Sequence, residues 1–284
     1  MVPVNRRQAV QWSLSAALTL AMPWRAVLAA TDDPRTDYLG KINHFNQTFP
    51  NDVFLPATQK QLLKETAARL QRLEMCVGPA NFHLLSFDEA LKSAREFVNI
   101  GHFTPAELEF LESLFHTSAT EYGFQGDKPI TRLTDVVARR RVVKIPETGN
   151  YLFKGQAETV YHRLRQAVGP ELLLTSGIRS IVKQYSLFLH KVLATDGNLS
   201  MASRSLAPPG YSFHGIGDFD VGQAGYGRLN FTSQFVKSPV FARLKKLGYL
   251  QWRYTPDNPY GVRFEPWHIQ VGVANSGPPH WPRV

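Results

Sequence analysis

Two stretches near the C-terminal end concentrate residues that can bind a metal and move protons. Residues 211–222 read YSFHGIGDFDVG, in which His214 offers a nitrogen donor and Asp218 and Asp220 offer oxygen donors. Gly215 and Gly217 allow the tight backbone turn that would bring these donors together. Residues 264–272 read FEPWHIQVG, with Glu265 three positions before His268. Pro266 keeps Glu265 out of the helical region, so the pair is not the arrangement of two histidines four apart on one helix. On a flat strand, residues three apart face opposite ways. Glu265 and His268 therefore converge on one metal only if the chain bends between them, and the proline favours a bend. A hydrolytic zinc site needs three protein ligands, a position left to water and a base beside that water; Glu265 next to a liganding His268 would supply the base. Each stretch alone is a weak signal. Together they are much stronger, because Cys76 is the only cysteine, which excludes an intramolecular disulfide and a thiolate cluster.

A third element lies upstream, in LLLTSGIRSIVKQ at 172–184. Arg179 follows a short strand and a glycine turn and stands at the start of a helix, where a guanidinium can hold a substrate carboxylate or a developing oxyanion.

The elements that must position these residues follow from periodicity. Over 31–150 the pattern is mostly helical. Leu62, Leu63, Ala67, Leu70 and Leu73 repeat at helical spacing, and capping boxes at Ser86 to Glu89 and Thr104 to Glu107 start two further helices, giving an annex of three. His83, His102 and His116 fall there without carboxylates at ligand spacing and read as surface or core histidines. From RRRVVKIP onward strands alternate with helices. ETVYHRLRQAV turns Val160, Leu164, Ala167 and Val168 inward, ELLLTSG is a buried strand, and IVKQYSLFLHKVL is the next helix. A helix runs from Pro239 to Leu247, between Ser238 and Gly248, and GYLQWRY and HIQVGV read as strands. The expected class is α+β: a small antiparallel sheet with flanking helices, preceded by a helical N-terminal annex. The expected division is 1–30 export signal, 31–139 annex, 140–275 catalytic domain and 276–284 flexible tail.

The chain of 284 residues, 43% hydrophobic, can bury a full core. The leader NRRQAVQWSLSAALTLAMPWRAVLAATDDP pairs two arginines with an uncharged run and small residues before an acidic stretch, the layout of an export signal, with the arginine pair suggesting the twin-arginine route. Its apolar run is short of the ~20 residues a retained span needs. The formal charge is +9, and removing a leader that holds Arg6, Arg7 and Arg25 leaves the chain basic, which suits an anionic wall. Export argues against a nucleic-acid partner for the ARRR run at 138–141, since a charge run is usually a solvated face.

The three elements, in this order, resemble the D-alanyl-D-alanine carboxypeptidase family of zinc peptidases that includes the VanY type, whose motifs are SGYRS…Q, SxHxxGxAxD and ExWH. They stand here as SGIRSIVKQ (176–184), SFHGIGDFD (212–220) and EPWH (265–268), so the likeness spans roughly residues 140 to 275. The resemblance implies Zn²⁺ held by His214, one aspartate and His268, with Glu265 as catalytic base and Arg179 stabilising the oxyanion. It further implies Ser212 and Gln184 as substrate-holding residues and Trp267 as a wall of the pocket. The family aspartate stands one position further from the histidine than Asp220 stands from His214. A one-residue deletion in the turn keeps Asp220 as the ligand, and Asp218 is the other candidate. The implied activity is hydrolysis of peptidoglycan stem peptides outside the cytoplasm, in the periplasm or at the wall, with removal of terminal D-alanine. The alternatives are an endopeptidase of the same fold and a non-catalytic wall-binding protein.

Overall fold

The computed structural model describes residues 34–248 and 250–272, so the export signal expected over 1–30 and the tail expected over 276–284 lie outside the described residues. The N-terminal part holds α1 (Pro34–Asn43), α2 (Lys60–Val77), α3 (Pro79–Phe82), α4 (Phe87–Glu96) and α5 (Pro105–His116), five helices where periodicity gives three. α1 escapes a pattern search because it carries an Asp37–Lys41 pair one turn apart and little apolar stripe. α3 is a single turn between Gly78 and His83. Both capping boxes form: Ser86 and Thr104 each accept from the backbone of the glutamate three residues on, and each glutamate reaches back. α2 buries Leu63, Ala67, Leu70 and Leu73.

A two-stranded ribbon follows, β1 (Val142–Lys144) antiparallel to β2 (Tyr151–Phe153), and then α6 (Gln156–Val168). Ala157, Val160, Tyr161, Leu164 and Val168 form the inner stripe of α6. Ala167, expected inward, is exposed, because the helical repeat through Val160 and Leu164 reaches the core again at Val168. The remaining elements are β3 (Leu172–Ser176), α7 (Ile181–Ala194), α8 (Leu199–Ser203), β4 (Phe219–Gln223), α9 (Pro239–Lys246) and β5 (His268–Ile269). Strands β3, β4 and β5 make an antiparallel sheet in that order. Among the described residues, GYLQWRY, expected as a strand, contributes only a bridge from Trp252 to Ile269, and of HIQVGV only His268 and Ile269 are strand. Arg253 turns inward to Asp218, and the proline-bearing loop that follows Tyr254 leads the chain away from the sheet edge. None of the described helices is long and apolar enough to cross a membrane.

Two hydrophobic clusters flank this sheet. Leu172, Leu174, Phe219, Val221 and Ile269 point to one side, where α6 and α9 bring Leu164, Val240 and Leu244. The other cluster joins Leu63, Leu70, Leu111 and Phe115 of the annex helices to Tyr185, Phe188 and Leu189 of α7, and extends to Tyr211, Tyr254 and Val262. The annex thus shares one core with the helix that follows β3. Strand alternation places Asp220 between Phe219 and Val221 on the face opposite the first cluster, so the polar residues of β4 and β5 meet the second layer at a seam.

Candidate metal centre

Asp220 and His268 are register partners on β4 and β5, and Ser176 of β3 lies on the other side of Asp220. A bulge between Leu174 and Ser176 re-aims the end of β3 at this point. His214 arrives from a 3-10 turn, Phe213–Gly215, which the backbone of Asp218 closes by donating to Phe213 O. Gly217 takes φ +139°, a conformation L side chains rarely adopt, as the chain passes from this turn into β4. At the other stretch the backbone N–H of His268 donates to Glu265 O at 3.1 Å, so the chain bends over Pro266 and brings both side chains to one side.

One donor atom from each of His214, Asp220 and His268 lies within 4.8 Å of the others, and all three residues are buried. His214 Nε2 is 3.3 Å from Asp220 Oδ1, and His268 Nδ1 is 3.2 Å from the same oxygen. His214 Nδ1 donates to the Gly177 carbonyl at 2.7 Å, which leaves Nε2 as a bare lone pair. Burial, with the Arg179 charge, lowers the pKa of His214 to about 4, so the ring is neutral at pH 7. Its Nε2 and Asp220 Oδ1 are both buried without a hydrogen-bond partner, acceptor facing acceptor. A cation between them resolves that conflict. The two spacings to Asp220 Oδ1 also suit zinc, since a tetrahedral site with bonds of about 2.0–2.1 Å separates its ligand atoms by about 3.3 Å.

Asp218 is not free to join. Its oxygens accept from the Arg253 Nε and Nη2 groups, from His268 Nε2 at 3.0 Å and from the Val271 backbone at 2.8 Å. It therefore orients His268, turning Nδ1 toward Asp220, in the manner of a carboxylate behind a liganding histidine. Burial opposes a charge on His268, but its hydrogen bond to Asp218 and the nearby Asp220 charge outweigh it and raise its pKa to about 9. Burial likewise opposes the charge on Asp220, but His214, Arg179 and His268 hold its carboxyl well below the usual range.

Glu265 Oε2 stands 3.7 Å from His268 Nδ1. Burial raises its pKa to about 7, against the pull of His268 and Arg263, so it is poised to exchange a proton near neutrality. Arg179 donates from Nη2 to Asp220 Oδ2 at 2.6 Å and from Nε to Ser176 Oγ at 2.9 Å, and it still lines the cavity. Ser212 and Trp267 line the same cavity, of about 180 Å³. Gln184 does not reach it. Its Nε2 donates to Arg179 O and its Oε1 accepts from Gly210 N, so the side chain braces two loops and lies by a separate cavity of about 460 Å³. His102 and His116 are exposed, and His83, half-buried, makes no part of the cluster.

Several contributors carry no sequence signal. The Gly177 carbonyl is backbone, Arg253 stands 35 positions from Asp218, and Tyr254, whose ring lies 4.8 Å from that of His268, belongs to no motif.

A family model described as VanY, D-alanyl-D-alanine carboxypeptidase, matches residues 153–273. Similar solved structures include a zinc complex of a mutant vancomycin-resistance D,D-pentapeptidase VanY from a VanB-type cassette, at 22% identity and TM-score 0.40, covering 52% of this chain and 85% of that one. VanYB in complex with D-alanine-D-alanine is 23% identical with TM-score 0.38, covering 46% and 76%. The LdcB LD-carboxypeptidase is 24% identical with TM-score 0.37, covering 43% of this chain and 59% of that one. No curated protein matches the chain.

Proposed function

We propose that the protein is a zinc peptidase that removes terminal D-alanine from peptidoglycan stem peptides, a reading supported by the match of residues 153–273 to the family model described as VanY, D-alanyl-D-alanine carboxypeptidase. The observation that carries this reading is the buried trio His214, Asp220 and His268 with two orphaned acceptor atoms, flanked by a glutamate whose pKa sits at about 7. His214 Nε2, Asp220 Oδ1 and His268 Nδ1 would hold the ion. Bound zinc supplies Lewis acidity, which makes a water nucleophilic near neutral pH and polarises the scissile carbonyl. Glu265 takes the proton of the attacking water at its carboxylate and passes it to the leaving amine. Arg179 holds Asp220 through Nη2, and its guanidinium faces the cavity as a donor toward the developing oxyanion. Ser212 and Trp267 confine the substrate.

Export places the enzyme with its polymer, in the periplasm or at the wall, and the basic chain suits an anionic partner. The test is digestion of a pentapeptide muropeptide read by mass spectrometry. Loss of one D-alanine, abolished by chelation and restored by zinc, is the expected result. An internal cut would indicate an endopeptidase, and intact muropeptide with zinc-loaded protein would overturn the reading.

A further inference from the structure

Arg263 lines the same cavity as His214, Asp220 and His268 and stands two residues before Glu265, outside every motif considered above. Its guanidinium is 4.6 Å from the centroid of the Phe45 ring and 4.9 Å from that of Trp267, two aromatic faces that fix its position. Nη2 donates to Phe231 O at 3.0 Å, and Nε is buried with no partner. Among the described residues no carboxylate lies within 4.0 Å of it, although Glu265 and Asp220 act on it from further away. Lys191 is a second cation in its surroundings, and burial together with Arg263 lowers the pKa of that lysine. The other guanidinium of the cavity, Arg179, is bonded to Asp220 and Ser176, and what it still presents to the cavity is assigned above to the oxyanion. Arg263 is thus a half-buried cation with no carboxylate in direct contact, at the edge of the place where the bond would break.

We propose that Arg263 is a specificity-determining residue that receives the terminal carboxylate of the substrate, so that the site takes a free chain end rather than a chain interior. This rests on the peptidase reading above. A carboxylate next to the scissile bond is one short residue away from it, and the cavity that holds Glu265 and Arg263 together is small, about 180 Å³. Guanidinium and carboxylate are complementary in shape and charge. A terminal amide or a continuing chain would set a neutral group against Arg263 and leave the cation unpaired, and sites built this way reject such analogues strongly.

The experiment compares a pentapeptide ending in D-Ala-D-Ala with its C-terminal amide, using zinc-loaded wild type, Arg263→Gln and Arg263→Lys. Wild type is expected to prefer the acid by about 100-fold in kcat/KM. Arg263→Gln should collapse that preference toward unity, with the loss on the acid carried mainly by KM, and Arg263→Lys should keep part of it because the charge remains. Zinc content and thermal transition, measured on each variant, report folding; should the glutamine variant not fold, the lysine variant alone decides. An equal preference in wild type, or an undiminished one in the variants, overturns the proposal. Cleavage of neither peptide by zinc-loaded wild type instead overturns the peptidase reading, and this inference with it.

Discussion

At Glu265 two demands meet: burial must raise the carboxyl enough to accept a proton near neutrality, and the group must lie beside the ligands without joining them. Glu265→Gln keeps the shape and removes the base, so kcat should fall by about 10²–10⁴ while zinc stays bound, as D-alanine release and metal analysis would show. The two aspartates divide labour differently. Asp220 aims a free oxygen at both histidines, whereas every oxygen of Asp218 is taken. Asp220→Asn should abolish zinc binding in a competitive-chelator titration, and Asp218→Asn should weaken it by about 10–100-fold through loss of His268 orientation. Equal losses would sink this division. Donor types and spacing drew attention to His214, the aspartate pair, Glu265 and His268, because those residues supply the chemistry themselves. Choosing between Asp218 and Asp220 depends on partners such as Arg253, which the chain brings in from a distance that no local pattern encodes.

Among the elements, the turn after β3 sets the imidazole of His214. Gly177 O accepts from His214 Nδ1, and the next residue, Ile178, donates from its backbone to Tyr151 O at 2.8 Å, tying β2 to the turn. A Cβ on Gly177 would stand 2.0 Å from Tyr151 O, a backbone atom that cannot swing away. Gly177→Ala should therefore force β2 and the turn apart, costing about 1–3 kcal/mol in a denaturant melt and weakening zinc binding as Gly177 O moves. If the alanine variant bound zinc as wild type does, the carbonyl would not be what fixes the ring. The helices with capping boxes and apolar stripes, α2, α4 and α5, were legible because local chemistry specifies them. The strand expected over GYLQWRY was not, because β-propensity yields to tertiary demands: the chain pairs with β5 at Trp252, whose indole donates to Pro266 O, and then Arg253 turns its side chain in to Asp218.

For the whole molecule, the decisive feature is that the core under α7 is shared. Leu70 of α2 and Leu111 of α5 pack in one cluster with Tyr185, Phe188 and Leu189, and the same cluster runs on to Tyr254, whose ring lies against His268. The sequence shows a helical stretch that gives way, from RRRVVKIP onward, to strands alternating with helices, but periodicity cannot say whether their faces bury against each other or apart. Given this continuity, the annex and the metal centre should unfold together. Leu70→Ala, at a position 2% exposed, should lower stability by about 2–5 kcal/mol and move one cooperative transition, with no early phase confined to the annex. Zinc binding the folded state alone should raise that same transition, by about 2.7 kcal/mol at a free concentration one hundred times its dissociation constant. Calorimetry of wild type and Leu70→Ala, each with zinc and with chelator, tests both statements at once. The two shifts should add, because Leu70 is no neighbour of the ligands, and a zinc-insensitive annex transition would show that the two parts fold apart.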